Sequence, residues 1–105
     1  MTLPVLALAA TLSAANPAPV SLQLTLKDHR FSPQTLEAPA GTRLELHVLN
    51  LDETSEEIES YALNREKVVR PNGRIVLYLP ALAPGRYDLY GEDHPDSAQA
   101  VLEVR

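Results

Sequence analysis

Residues 82–90, LAPGRYDLY, constrain the fold of this 105-residue chain more than any other segment. Pro84-Gly85 is a strong turn dipeptide, and the aromatic and aliphatic residues that follow it are typical of a strand. The spacing Leu-x-Pro-Gly-x-Tyr is that of a tyrosine corner, in which the Tyr87 hydroxyl bonds back to the backbone of the preceding turn. Because such corners belong to Greek-key β-sandwiches, this segment predicts that fold class.

Short segments with alternating apolar and polar residues extend this interpretation to the rest of the chain. Leucines alternate with polar residues in 21–27, and apolar side chains occupy every second position of 43–50. Three further segments, 35–38, 74–79 and 98–105, also read as strands. Turn residues separate the segments at the spacing of an all-β domain. We therefore predict an all-β Greek-key sandwich of about six or seven strands.

Residues 51–64 interrupt the alternation and are rich in acidic side chains. Thr54-x-x-Glu57 fits a capping box, the side-chain pair that closes the first turn of a helix, so we predict a short helical turn around residues 54–62. In a helical turn Glu56 and Glu59 share a face, whereas in an extended segment Glu57 and Glu59 do so.

The first fifteen residues are uncharged and mostly apolar, and they end in Ser13-Ala14-Ala15. This pattern is typical of a secretion signal with its cleavage site, and a buried strand or helix is the alternative. Residues 1–19 are therefore predicted to be a signal peptide and linker, and residues 20–105 a single domain located in the periplasm or secreted. The apolar run is too short to span a bilayer as a helix, so no transmembrane segment is expected in the mature chain.

Composition excludes several functions. The net charge is −5 and the basic residues are scattered, which argues against a nucleic-acid-binding surface. The chain has no cysteine, so neither disulfides nor thiolate chemistry is available. A phosphate-binding glycine loop, an HExxH motif and a nucleophile elbow are also missing from the sequence.

Several motifs together resemble the cupredoxin-like family, across roughly residues 21–105. They are Phe31-Ser32-Pro33, Ala40-Gly41, Val48-Leu49-Asn50-x-Asp52 and the corner ending at Tyr87. In that family the loop after the corner strand carries cysteine, histidine and methionine ligands to copper. Here Gly91 stands at the cysteine position, His94 keeps the histidine, and Met1 is the only methionine. Type 1 copper needs a thiolate with two imidazoles, so a blue-copper electron carrier is excluded.

A narrower resemblance connects the chain with the small cupredoxin-like periplasmic proteins of bacterial iron-permease uptake systems. It is carried by Glu57-Ile58-Glu59-Ser60, Leu63-Asn64-Arg65-Glu66-Lys67 and His94-Pro95-Asp96-x-Ala98. The resemblance implies a domain that binds or oxidises ferrous iron before transport. Its expected partner is an iron permease or another periplasmic component of iron uptake.

His94 is the first candidate metal ligand, since carboxylates flank it and Pro95 stiffens its loop. Carboxylates with one imidazole are suitable ligands for Cu(II) or iron. The resemblance also brings residues 57–59 to the same end of the sandwich. We therefore predict a copper or iron ion bound by His94, Glu57, Glu59, Asp93 and Asp96. No role is assigned to His29 or His47.

Two other interpretations remain open at this stage. In one, the acidic loop is a solvated surface and the chain is a metal-free structural or docking domain that contacts a periplasmic or membrane partner. In the other, the chain is a ferroxidase. Oxidation of Fe(II) needs an electron acceptor, and the sequence contains no complete redox site that would supply one.

Overall fold

The computed structural model describes residues 2–4 and 17–105, and within these residues the chain forms nine strands and no helix. The strands are β1 (Val20–Lys27), β2 (Arg30–Ser32), β3 (Thr35–Ala38), β4 (Leu44–Asn50), β5 (Glu56–Ser60), β6 (Arg65–Val69), β7 (Arg74–Leu79), β8 (Gly85–Gly91) and β9 (Gln99–Val104).

Two sheets form the sandwich. One has the strand order β2-β1-β4-β7, and the other has the order β3-β9-β8-β5-β6. Strand β1 pairs in parallel with β4, and β3 pairs in parallel with β9, whereas the remaining pairs are antiparallel. The predicted all-β Greek-key sandwich is confirmed.

The core lies between the sheets and follows the alternation seen in the sequence. Leu44, Leu46 and Val48 of β4 are buried, while Glu45 and His47 between them point to the outer face. Leucines of β1, β7, β8 and β9 and Ile58 of β5 complete the buried layer. Removing these side chains from water stabilises the sandwich, since each buried aliphatic side chain contributes about 1.5–3 kcal/mol.

The predicted helical turn around residues 54–62 is wrong, because residues 56–60 form strand β5. Glu56, Ile58 and Ser60 are buried at alternate positions, and Ile58 lies opposite Gly91 of β8. A capping box is a local signal worth about 1 kcal/mol, and pairing with two neighbouring strands outweighs it. Residues 65–69, which follow β5, form the edge strand β6 and pair with β5 from Ser60↔Arg65 to Glu56↔Val69.

The tyrosine corner forms as predicted. The Tyr87 hydroxyl donates a 2.7 Å hydrogen bond to the backbone oxygen of Ala83. This bond ties the turn before β8 to the strand itself, so β8 starts from a defined position. The opposite end of β8 leads into the loop that carries His94.

Three connections lie together at that opposite end of the sandwich. Because β1 and β4 are parallel and in register from Val20↔Leu44 to Leu26↔Asn50, the turn after β1 and the loop after β4 leave the sheet side by side. The β8–β9 connection joins them there, since its residues bond to the start of β5.

The predicted signal peptide and linker, residues 1–19, fall mostly outside the described residues. Among the residues that are described, no helix is long and apolar enough to cross a bilayer.

Candidate metal centre

His29, Glu56 and His94 meet where the three connections come together. His29 comes from the β1–β2 turn, Glu56 is the first residue of β5, and His94 lies on the β8–β9 connection. Their nitrogen and carboxylate oxygen donors all lie within 4.8 Å of one another. Two imidazoles and a carboxylate are therefore within reach of a single small ion.

Glu56 is the buried member of this group, with 1% of its surface exposed. The backbone N–H of Asp93 donates to its Oε2 atom at 2.9 Å, and Nδ1 of His94 lies 2.9 Å from its Oε1 atom. Burial raises the pKa of the Glu56 carboxyl, and its hydrogen bond with His94 partly opposes this shift. Both oxygens thus have partners, as a buried carboxylate requires.

His29 and His94 stack face to face. Their ring centroids are 3.5 Å apart and their planes differ by 13°. The two side chains stay partly open to solvent, with 38% and 33% of their surfaces exposed. An incoming ion can therefore reach the rings from solvent, and the buried Glu56 carboxylate lies 2.9 Å from Nδ1 of His94.

The sequence interpretation missed both His29 and the role of Glu56. His29 lies on a turn far from residue 94 in the sequence, and no local spacing connects the two. The signal that could have identified it is topological, since parallel pairing of β1 with β4 would have placed this turn at the site. Glu56 was missed because the predicted ligands, Glu57 and Glu59, lie on the opposite face of the extended segment, and no local pattern shows that a glutamate faces the core.

The surroundings of Gly91 explain why the cysteine ligand of a blue-copper site does not fit this chain. A Cβ atom at position 91 would lie 2.7 Å from Cδ of Glu56 and 2.8 Å from the Cβ atom of Ala98. A cysteine would need the space that the Glu56 carboxylate occupies. The site therefore has an oxygen donor beside Gly91 and no room for a thiolate.

The Asp93 side chain fixes the β8–β9 connection, which carries His94, against strand β5. Its Oδ2 atom accepts a 2.9 Å hydrogen bond from the backbone N–H of Glu57. This bond, and a second one with the Glu56 carboxyl, hold the pKa of the Asp93 carboxyl below its usual range. The Asp93 side chain thus holds the loop of His94 against the start of β5.

Asp96 is exposed and belongs to neither group of potential ligands.

Glu57 and Glu59 point away from His94, because alternate residues of an extended strand face opposite sides. With Glu92 they form a second group whose carboxylate oxygens lie within 4.8 Å of one another. A hydrogen bond with Glu59 and the negative charges of Glu57 and Glu59 raise the pKa of Glu92 to about 7. The five predicted ligands are therefore separated: Glu57 and Glu59 lie on the face of β5 opposite Glu56, whereas His94, Asp93 and Asp96 lie on the β8–β9 connection.

Comparison with known proteins identifies the family. The model of the cupredoxin-like domain matches residues 1–104. An uncharacterized protein of Rickettsia prowazekii (strain Madrid E) is 41% identical over 85 residues, which cover 81% of this chain and 68% of that protein.

Solved structures share the fold at low sequence identity. Auracyanin A, a blue copper protein from Chloroflexus aurantiacus, superposes with a TM-score of 0.71 at 13% identity, covering 84% of this chain and all of that one. The metal binding domain of the Cu(I) exporting P-type ATPase of Streptococcus pneumoniae D39 gives a TM-score of 0.72 at 10% identity, with 81% and 84% coverage. A purple cupredoxin from Nitrosopumilus maritimus gives 0.60 at 20% identity, with 79% and 98% coverage. Since the family match spans nearly the whole chain and the sandwich agrees with it, this protein belongs to the cupredoxin-like domain family.

Proposed function

We propose that this protein binds a copper or iron ion through His29, Glu56 and His94. The observation that carries the proposal is the convergence of two imidazoles and one buried carboxylate within 4.8 Å. Imidazole binds copper and iron well, and two histidines with a carboxylate are a common ligand set for Fe(II). Cu(II) is expected to bind more tightly than Fe(II), because first-row divalent ions follow that order at most sites.

Two distances bear on how such an ion would be held. The 2.9 Å separation between Nδ1 of His94 and Oε1 of Glu56 is close to that of two ligands at right angles, each about 2.1 Å from one ion. The stacked rings direct their in-plane lone pairs side by side, so one ring has to turn for both to reach the ion. Partial exposure leaves both rings room to do so.

Proton release should accompany binding. The hydrogen bond between His94 and Glu56 contains a proton that a metal ion at these atoms displaces. Metal ligands must be deprotonated, so affinity is expected to rise from pH 5 to pH 8.

Within this proposal, the narrower resemblance supports a role in iron uptake at the periplasm. The protein would bind Fe(II), or oxidise it with the help of an electron acceptor, and pass iron to a membrane permease. Oxygen ligands favour Fe(III) over Fe(II), and the carboxylate that takes the place of a thiolate beside Gly91 is such a ligand. The apolar start of the sequence supports the periplasmic location.

Isothermal titration calorimetry with Cu(II), and with Fe(II) under anaerobic conditions, tests the proposal. Wild type and His94→Ala are compared, with His47→Ala as a matched control, because His47 lies on the outer face of β4. We expect one equivalent to bind to wild type and to the control, and His94→Ala to lose that binding. Equal heats for wild type and His94→Ala would remove His94 from any metal site.

A metal-free docking or structural domain is the second candidate. It is favoured by the complete hydrogen bonding of the described part of the chain, in which every buried side-chain nitrogen and oxygen has a partner. A ligand that binds only the native state stabilises it, by about 2.7 kcal/mol at a concentration of one hundred times Kd. A melting temperature that does not change with Cu(II) or Fe(II) would support this second candidate.

A further inference from the structure

Asp52, on the loop between β4 and β5, is hydrogen-bonded through its carboxylate to the turn that carries His29. Its Oδ1 atom accepts a 2.6 Å hydrogen bond from the backbone N–H of Asp28, and its Oδ2 atom accepts one of 3.0 Å from the backbone N–H of His29. One side chain thus satisfies two consecutive amides of another loop. Hydrogen bonds to a charged acceptor are stronger than those between neutral groups.

The hydrogen bonds from Asp52 stabilise a turn whose backbone conformation is unfavourable by itself. Asp28 and His29 both have positive φ values, 51° and 57°. This left-handed region is unfavourable for residues other than glycine, because the Cβ atom comes too close to the following carbonyl oxygen. In this conformation the His29 ring lies over His94 at 3.5 Å. A relaxed turn would carry the ring elsewhere, because the Cα–Cβ direction changes with the backbone.

Asp52 is itself held in place by the end of β4. The buried Asn50 side chain accepts a 2.9 Å hydrogen bond from the backbone N–H of Asp52. Its Nδ2 atom lies 2.8 Å from the backbone oxygen of Thr54, and 3.3 Å and 3.2 Å from those of Val69 and Arg70. The position of Asp52 is therefore tied to the sheet.

Asp52 also lies beside the His29 ring. Its Oδ2 atom is 3.5 Å from Nδ1 of His29, and the Asp52 side chain is 10% exposed. A carboxylate next to the Nδ1–H group of an imidazole favours the tautomer whose Nε2 lone pair is available. Histidines that bind metals usually have such a carboxylate or carbonyl partner.

We infer that Asp52 is the positioning residue of the site: it holds the left-handed 28–29 turn so that the His29 imidazole is presented beside Glu56 and His94. Asp52 lies outside the group of converging ligands and acts through His29. This inference rests on the proposed function where it concerns metal binding. Loss of a partner of this kind typically costs 10–100-fold in metal affinity.

The first measurement needs no metal. Asp52→Asn keeps the size of the side chain but removes its charge and one acceptor oxygen, and Asp88→Asn on the outer face of β8 is the matched control. NMR of the imidazole protons should show ring-current shifts from the His29–His94 stack in wild type and in Asp88→Asn. We expect these shifts to collapse in Asp52→Asn. Unchanged shifts in Asp52→Asn would overturn the inference.

The second measurement uses Cu(II) and counts the imidazole nitrogens on the ion by pulsed electron paramagnetic resonance. We expect two imidazoles in wild type and in Asp88→Asn, and one in His29→Ala and Asp52→Asn, with 10–100-fold weaker binding for Asp52→Asn. Two imidazoles and unchanged affinity in Asp52→Asn would overturn the positioning role. Failure of wild type to bind Cu(II) would instead overturn the proposed function, and the NMR result would still decide the role of Asp52.

Amide hydrogen exchange of wild type covers the case in which Asp52→Asn does not fold. The backbone N–H groups of Asp28 and His29, which donate hydrogen bonds to Asp52, should exchange slowly although they lie on a two-residue turn. Rapid exchange at Asp28 and His29 would show that their hydrogen bonds to Asp52 do not persist in solution, which would contradict the inference.

Discussion

The Glu56 carboxylate occupies the space into which a side chain at Gly91 would project. A Cβ atom added to Gly91 would lie 2.7 Å from Cδ and 2.8 Å from Oε1 of Glu56. Both residues are in paired strands, with Ile58 opposite Gly91 in the register of β5 with β8. The backbones can shift little to relieve a clash, so the glycine and the glutamate depend on each other.

Gly91→Ala is expected to destabilise the protein by about 1–3 kcal/mol, the usual cost of overpacking a core. The new methyl group displaces the Glu56 carboxylate and presses on Ala98. Denaturant unfolding of wild type, Gly91→Ala, Glu56→Ala and the double variant measures the coupling. Because Glu56→Ala removes part of the clash, the double variant should lose less than the sum of the two single losses, by about 0.5 kcal/mol or more. Additive losses would show that the two residues do not compete for space.

Glu56→Ala alone should cost about 1–3 kcal/mol, since it leaves the backbone N–H of Asp93 and the His94 ring without their acceptor. Glu57→Ala is the matched control, because it removes the same side chain from the opposite face of β5. Chemical denaturation should find no significant loss for Glu57→Ala. Equal losses for the two variants would contradict the buried role of Glu56.

Tyr87→Phe tests the tyrosine corner. It deletes the hydroxyl that bonds to the backbone oxygen of Ala83 at 2.7 Å and keeps the ring. We expect a loss of about 1 kcal/mol in the free energy of unfolding. Tyr78→Phe on strand β7, where 65% of the tyrosine is exposed, should change stability by less than about 0.5 kcal/mol. The corner contributes nothing if both variants melt at the wild-type temperature.

Glu92→Gln should make stability less dependent on pH. The raised pKa of Glu92, about 7, means that the folded state holds its proton more tightly than the unfolded state, whose value is 4.5. The stability linked to this proton is fully present below pH 4.5 and is lost as the pH rises to about 7 and above. Glu92→Gln should therefore have a higher melting temperature than wild type at pH 8 and about the same one at pH 4.

Glu53→Gln on the exposed loop before β5 is the control for charge removal. It should show no comparable difference between the two pH values. A melting temperature of Glu92→Gln that stays below wild type at pH 8 would mean that the charge of Glu92 is not repelled by Glu57 and Glu59.

The alternation of apolar and polar residues was sufficient to predict the strands whose two faces differ in polarity. In β4 the leucines and valine face the core and Glu45 and His47 face outward, as the sequence predicts. The same pattern failed in β5, because Glu56 is an ionisable residue and yet faces the core side. A buried carboxylate breaks the alternation rule, and only its partners, Asp93 and His94, make that burial tolerable.

The sandwich, the corner at Tyr87 and the lack of a thiolate can be predicted from the amino-acid sequence alone, as can the place of His94 on the loop after β8. These follow from side-chain periodicity, turn chemistry and composition, which act over a few residues. Tertiary structure decided that Glu56 replaces Glu57 and Glu59 beside His94, and that His29 joins them. Strand register and the parallel pairing of β1 with β4 set those contacts, and both depend on pairing between segments far apart in the chain.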